Sequence, residues 1–474
     1  MNALLPSIVS SLYVGCLLLA CQQQPSAQQD PWSKVDSIIQ EVKAPVFPDR
    51  ILSLSAVGAQ GDGISDDRLR LQQAIDSIHQ SGGGTVHIPA NTYFCNGPLR
   101  LKSHVHLQLD SGAVIRFGTD PDAYLPAVYS RWEGTFLMNY SPLIYALDQE
   151  NIAITGKGII DGAADTINWY RWNGKEKYGW REGMPTQKAA QQSLRKMGQD
   201  GTPVQERLFG DGHYLRPNLF QPIRCRNIYL SGVEFRNSPM WLINPILCEN
   251  VLVDGLTFRS FGPNSDGIDP EHSRNVLIQN CQFYTGDDCV AVKAGRDREG
   301  REVGVPSENI VIRNCYMQGL RSVFALGSEM SAGIQHVYYE NCTITSLENS
   351  ARLIRFKSNT DRGGFIRHVY FRNIDATKAR FQEGVFFFDM CYGGCEHEGT
   401  YIPSYSDFSI EHVKVGHAGG YAFKSNLLEA SPLQGLQLRH IEIDGVGELP
   451  DLQHIHGLEV EDVRINGEKW EITP

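Results

Sequence analysis

Three aspartates stand in two short motifs, Asn264-Ser265-Asp266-Gly267 and Gly286-Asp287-Asp288-Cys289. Carboxyls grouped this way suit hydrolysis of a glycosidic bond. One donates a proton to the leaving oxygen, and one or two activate water. An Asp-Asp pair alone carries little, since such pairs are common in turns. Its setting carries more. Asp266 and Asp287 are 21 residues apart, near the length of one coil of a repeating structure. They are therefore expected in register on neighbouring coils, about 4.8 Å apart at the backbone. Adjacent residues on a flat strand face opposite ways. Asp287 and Asp288 thus act together only if the chain bends, which Gly286 permits. Clustered carboxylates repel, so one holds its proton to higher pH and the others stay ionised.

Further on, Arg355 and Lys357 alternate, so as strand residues they face one side. Two cations beside a carboxylate cluster suit an acidic sugar, whose carboxylate a guanidinium grips with two hydrogen bonds. A solvated strand face would show the same alternation. Lys293 is a further candidate cation. Nearby Asp269 and Glu271 read as structural, Asp269 by forming a turn with Pro270.

The elements that must position these groups are visible as a repeat. Asn-apolar-x-apolar-x-Gly/Asn-x-x-apolar segments begin at Asn151, Asn227, Asn250, Asn275, Asn309, His336 and His368, with weaker copies at Phe408, Leu436 and Leu458. From Asn227 to His368 the starts lie 23 to 34 residues apart. Periods of that size signal a solenoid, although a length of 474 residues alone would suggest about three domains. The alternation is strand periodicity, rich in Ile, Val, Tyr and Phe. Gly or Asn breaks each run where a bend is needed. The expected fold is all-β, a single-stranded right-handed parallel β-helix, with the recurrent Asn forming a side-chain ladder. A helix over Asp66 to Gln80, capped by Ser65 and carrying Leu71, Ile75 and Ile78 on one face, is expected to cover the first coil. Residues 46–474 form this domain. The stretch 163–222 breaks the repeat. Its Trp169, Trp172, Trp180 and Tyr178 either wall the groove or pack on one another.

Four blocks carry a family resemblance. Asn264-Ser265-Asp266-Gly267, Gly286-Asp287-Asp288-Cys289, Gly327 to Gly333 (GSEMSAG) and Arg352 to Lys357 (RLIRFK) resemble, in order and spacing, the signatures of glycoside hydrolase family 28, the polygalacturonases. The likeness runs from about residue 50 to near the C-terminus. It implies a pectin-lyase-like solenoid that hydrolyses α-galacturonosidic linkages with inversion and without a metal. It implies Asp287 as the general acid, with Asp266 and Asp288 holding the nucleophilic water. Inversion requires about 6.5–9.5 Å between carboxyl groups, against about 5–5.5 Å for retention. Arg355 and Lys357 would bind the sugar beyond the cleaved bond, with Asn264, Lys293 and Tyr392 as further contacts. Glu329 meets sugar hydroxyls or is a buried structural glutamate.

The family's polygalacturonases carry Gly-His-Gly upstream of the Gly-Ser-Glu block. Here the stretch reads Gly319-Leu320-Arg321-Ser322, placing Arg321, or Leu320, where the histidine would stand. The resemblance of the Gly-Ser-Glu-Met block and the 163–222 insertion imply exo action on pectic oligosaccharides. The missing histidine keeps open a hydrolase of rhamnogalacturonan or other substituted pectin. More distant readings are a calcium-dependent pectate lyase using the aspartates as ligands, and a non-catalytic glycan-binding protein.

The net charge of −11 argues against nucleic acid and anionic membrane surfaces as partners, and local cations must offset it for a polyanionic substrate. Leu4 to Ala20 is mostly apolar but too short and too near the start for a membrane span. With Leu18-Leu19-Ala20-Cys21 and a polar continuation, residues 1–21 resemble a bacterial lipoprotein signal. Export to a Gram-negative cell envelope and lipidation of Cys21 follow, although no Lys or Arg precedes the run. A cleaved secretory signal is the alternative. Residues 22–45 read as a linker. Of 11 cysteines, Cys281, Cys315 and Cys342 share one repeat position and Cys225 and Cys248 another. They read as stacked, buried thiols. Cys391 and Cys395 either pair or stay free.

Overall fold

A computed structural model describes residues 30–347, 350–395 and 399–471. The expected signal and the lipidation site Cys21 lie outside them. The fold is a right-handed parallel β-helix. One sheet of 22 strands wraps two faces, and its coil-to-coil pairings are parallel. The third face carries Val290–Val292, Ser322–Leu326, Arg352–Lys357, Gly384–Asp389 and Tyr421–Asn426, all parallel. It continues towards the N-terminus as isolated bridges Phe220↔Ile243, Ile243↔Ile268 and Ile268↔Val290. Pro245 and Pro270 have no N–H to give to a ladder, so these two coils make bridges rather than strands.

The recurrent asparagine explains the turns. Asn151, Asn227, Asn250, Asn275 and Asn309, then His336, His368 and Asp407, all adopt φ between +52° and +57°. Left-handed backbone is costly for most side chains and least so for Asn, Asp and His. The amides form the expected ladder, with Asn227 donating to Asn151 at 2.8 Å and Asn309 to Asn275 at 3.0 Å. The ladder continues as stacked His336 and His368 rings, 4.6 Å apart.

The inward residues stack as like on like, for example Phe258 on Phe283 at 4.3 Å and Tyr339 on Phe371 at 4.4 Å. Cys225, Cys248, Cys281, Cys315 and Cys342 are free and buried, as their equivalent positions predict. Cys391 and Cys395 form a disulfide.

Two expectations about the N-terminal region change. Residues 30–45 are not a bare linker. Helix α1 (Ser33–Glu41) packs on the solenoid flank, with Trp32, Val35 and Ile38 buried against Leu252, Leu277, Val311, Tyr338 and Tyr370. Those outward apolar residues are spread over separate coils, so no local pattern marks them as a docking face. The capping helix α2 (Arg68–Gln80) does bury Leu71, Ala74, Ile75 and Ile78, but it starts later than expected and Ser65 is not its cap. Ser65 donates to Asp62 instead. Asp67 at the helix start is drawn away by the backbone N–H groups of Gln60 and Gly61. Among the described residues, no helix is long and apolar enough to cross a membrane.

Candidate active site

A cleft of about 680 Å³ opens on the third face. Eight basic and six acidic side chains line it, a balance of two positive charges against −11 for the whole chain. Asn264, Asp266, Asp287, Asp288, Lys293, Arg321, Glu329, Arg355, Lys357 and Tyr392 all reach it.

The register of the aspartates differs from expectation. The bridge Ile268↔Val290, with Gly267 N–H donating to Asp288 O at 3.1 Å, sets Asp266 across from Asp288 rather than Asp287. Asp287 sits one residue earlier, in the turn entering the strand, where Thr285 Oγ1 donates to its carbonyl at 3.0 Å. That turn lets neighbouring side chains share one site. One oxygen of each carboxyl lies within 4.8 Å of the others. Glycine is needed on both sides for close approach, not for unusual φ. A Cβ at Gly286 would meet Ser265 Oγ at 2.7 Å, and one at Gly267 would meet Cys289 O at 2.5 Å.

The three carboxyls have different surroundings. Asp288 is 1% exposed, accepts from Ser322 N–H at 2.8 Å and from Lys357 Nζ at 2.5 Å. Burial works against its ionisation, but Lys357, Lys293 and the amide outweigh burial and hold it below the ordinary range. Asp287 is pushed up to about 6 by burial and by repulsion from Asp288, with Lys357 and Arg321 pulling the other way. Asp266 is 4% exposed and its Oδ1 has no hydrogen-bond partner. Burial, Asp269 and Asp287 raise it well above the ordinary value. Two carboxyls are therefore raised rather than one, because Asp266 is buried and has Asp269 behind it. Asp266 and Asp287 act as a pair that retains a proton, and Asp288 is the ionised member.

The cations fall into two groups. Arg355 is held on Asp389 Oδ2 through Nη2 at 2.6 Å, and Tyr392 lies 4.9 Å from its guanidinium. Tyr392 is positioned by its N–H on Ser358 O at 2.9 Å and by Asn359 on its carbonyl at 3.0 Å. Arg355 and Lys357 thus share a face, as their spacing predicts. On the other side Lys293, 3% exposed, lies 3.3 Å from Glu329, 3.4 Å from Asp269 and 4.5 Å from the Trp241 ring. Asp269 is accordingly a buried neighbour of Lys293 and not a turn residue; burial pushes its carboxyl up to about 8, with Lys293 pulling the other way. Glu271 is structural, accepting from Arg131 at 2.7 Å. Arg321 is exposed at the rim. The cluster is close enough to hold a hard cation, but the ammonium of Lys357 already compensates Asp288.

In the 163–222 stretch none of Trp169, Trp172, Tyr178 and Trp180 lines the cleft, so the groove-wall alternative for them falls. Trp169 and Trp172 are core, packed with Tyr124, Tyr140 and Tyr214. The cleft instead receives Lys175 and, from helix α3 (Lys188–Asp200), Arg195. Arg216 is fully buried and pins the loop before Asp266, donating to Pro263 O at 2.6 Å and Asn264 Oδ1 at 2.8 Å. Sequence reading also missed Glu133, Trp241, Arg296 and Asp389. The pair Glu133-Gly134 between two strand-like runs was a hairpin signal. The others have no local mark.

The sequence profile of glycosyl hydrolases family 28 matches residues 210–462. The chain belongs to that family. It is 30% identical over 334 residues to a Vitis vinifera protein named "Probable polygalacturonase", covering 68% of this chain and 60% of that one. It is 28% identical over 397 residues to the exo-poly-α-D-galacturonosidase of Dickeya chrysanthemi, covering 78% and 63%. The chain thus spans less than two thirds of either relative's length. A crystal structure of a hyperthermoactive exopolygalacturonase from Thermotoga maritima superposes with a TM-score of 0.85 at 38% identity, covering 92% of this chain and 96% of that one.

Proposed function

We propose that the protein is an inverting, exo-acting glycoside hydrolase of α-galacturonosidic linkages in pectic oligosaccharides. One observation carries this reading: a buried, lysine-paired Asp288 opposite Asp266, with the proton-retaining Asp287 beside them, all inside a locally cationic cleft. Asp287 gives its proton to the leaving oxygen. In the reactive state the proton shared by the pair sits on Asp287, which leaves Asp266 ionised to hold and deprotonate the attacking water together with Asp288. The nearest carboxyl oxygens, within 4.8 Å, are closer than the separation expected for inversion. That gap still admits one water, bonded at about 2.7 Å to each side with a bent O–water–O angle. Arg355 and Lys357 take the uronate beyond the cleaved bond, and Arg321 adds positive charge beside the acid. Both favour an acidic sugar over rhamnose at those positions. The exo relatives and the wall from residues 163–222 support attack at a chain end.

Incubation with digalacturonate and a pectic oligosaccharide panel tests the reading by release of reducing sugar. Activity is expected to survive a chelator, without the ultraviolet absorbance of an eliminated product. Turnover only on rhamnose-containing fragments, or chelator-sensitive elimination, would replace it. The same reading places the enzyme outside the cytoplasm, tethered by lipid at Cys21. Cys21→Ser is expected to free it from membranes.

A further inference from the structure

One wall of the cleft is built by no coil of the solenoid. The hairpin Val128–Trp132 and Thr135–Asn139 turns at Glu133-Gly134, with φ of 42° and 83°. Its tip presses against the cleft floor. A Cβ at Gly134 would meet Glu329 Cγ at 2.7 Å and Arg296 Cβ at 2.8 Å, so only glycine allows the approach. The tip is bolted there by Arg296, whose backbone N–H donates to Gly134 O at 3.1 Å and whose Nε donates to Glu133 O at 3.0 Å.

The Glu133 carboxylate faces the other way, towards the insertion. Its Oε2 accepts from Gln191 at 2.8 Å and from Arg195 at 2.8 Å, both on α3. Arg296 Nη2 lies 3.8 Å from the same oxygen and donates to Glu329 at 2.6 Å. Glu329 in turn holds Lys293. Opposite charges therefore alternate from the outer surface of α3 to the floor beside Asp266. Glu133 is the one link that belongs to neither the solenoid face nor the insertion.

We infer that Glu133 is a specificity-determining residue: by latching α3 to the hairpin it shuts one end of the cleft and restricts attack to chain ends. This rests on the galacturonan-hydrolase reading above. A polymer cleaved internally must leave the cleft at both ends, and the latched wall bars one exit. Without the carboxylate, Arg195 loses its acceptor and both Arg195 and Arg296 lose a counter-charge between them and repel. Ala190 and Leu194 keep α3 seated on Trp132, Leu137 and Trp241, but its Gln191–Arg195 edge is freed from the hairpin tip and the end opens there.

The test compares wild type with Glu133→Ala and with the double variant Gln191→Ala/Arg195→Ala, which breaks the latch and leaves the hairpin intact. Hydrogen exchange of the α3 amides is expected to quicken by roughly tenfold or more in both, as for loss of charge-assisted hydrogen bonds. On polygalacturonate, wild type releases one small product with little loss of viscosity. The variants give a ladder of oligomers and a larger viscosity drop for each bond cut. Should Glu133→Ala fail to fold, the double variant decides. Unchanged exchange in α3, or a folded variant still yielding the single small product, overturns the inference. If wild type cleaves no galacturonan but exchange still quickens, the functional reading fails and the latch stands.

Discussion

Asp266 and Asp288 face one another across adjacent coils, and Lys357 lies 2.5 Å from Asp288. The lysine is two coils further along the same face. The pull that holds Asp288 below the ordinary carboxylate range against its burial thus comes from a residue far away in sequence.

Lys357→Met is therefore expected to do two things. Burial would then dominate at Asp288 and raise its pKa, so the acidic limb of the kcat/KM profile moves to higher pH. The stranded buried carboxylate should also cost about 3–5 kcal/mol of stability. A pH–rate profile and a urea titration measure the two. An unmoved acidic limb would detach Lys357 from Asp288.

The alkaline limb reports loss of the proton shared by Asp287 and Asp266. With Asp287 pushed up to about 6 and Asp266 raised well above its ordinary value, kcat/KM should fall as pH rises above about 6. Positive charge at Arg321 favours the ionised acid, so Arg321→Ala raises the pKa and moves the limb to higher pH. A shift to lower pH would contradict the assignment.

Substrate grip should depend on the planar fork of Arg355, held by Asp389 and beneath Tyr392. Loss of a charge-assisted pair in Arg355→Ala should raise KM for digalacturonate by roughly 10- to 100-fold, with kcat less affected. Lysine at this position should not restore it. Steady-state kinetics decide, and an unchanged KM would remove Arg355 from the binding surface.

Much of this was readable from sequence because it is local and periodic. Alternating strands, left-handed Asn positions and the two aspartate motifs each declare themselves within a few residues. The register slipped by one because the turn at Gly286 adds a residue that strand counting does not see. The turn at Glu133-Gly134 was marked locally, but the partners of Glu133, Asp389 and Arg216 were not legible, since they lie tens to more than a hundred residues away. The raised state of Asp266 likewise depends on Asp269 lying behind it, which only packing reveals.

Docking of α1 is a further case. Trp32 packs against Tyr338 with the rings tilted and 5.6 Å apart, and lies under the Arg372 guanidinium at 3.9 Å. Trp32→Ala should destabilise by about 3–5 kcal/mol, by analogy with buried aromatic truncations. Calorimetry would show a lower Tm. No change would mean that residues 30–45 are the passive linker the composition suggested.

The central claim is that Asp287 protonates the leaving oxygen while a water held by Asp266 and Asp288 attacks from the opposite side. Proton NMR of early products from trigalacturonate tests it most directly. The new reducing end should appear first as the β-anomer and then mutarotate, with Asp287→Asn lowering the rate by roughly 10²–10⁴-fold. The α-anomer appearing first would mean a covalent intermediate and would contradict this account of the three aspartates.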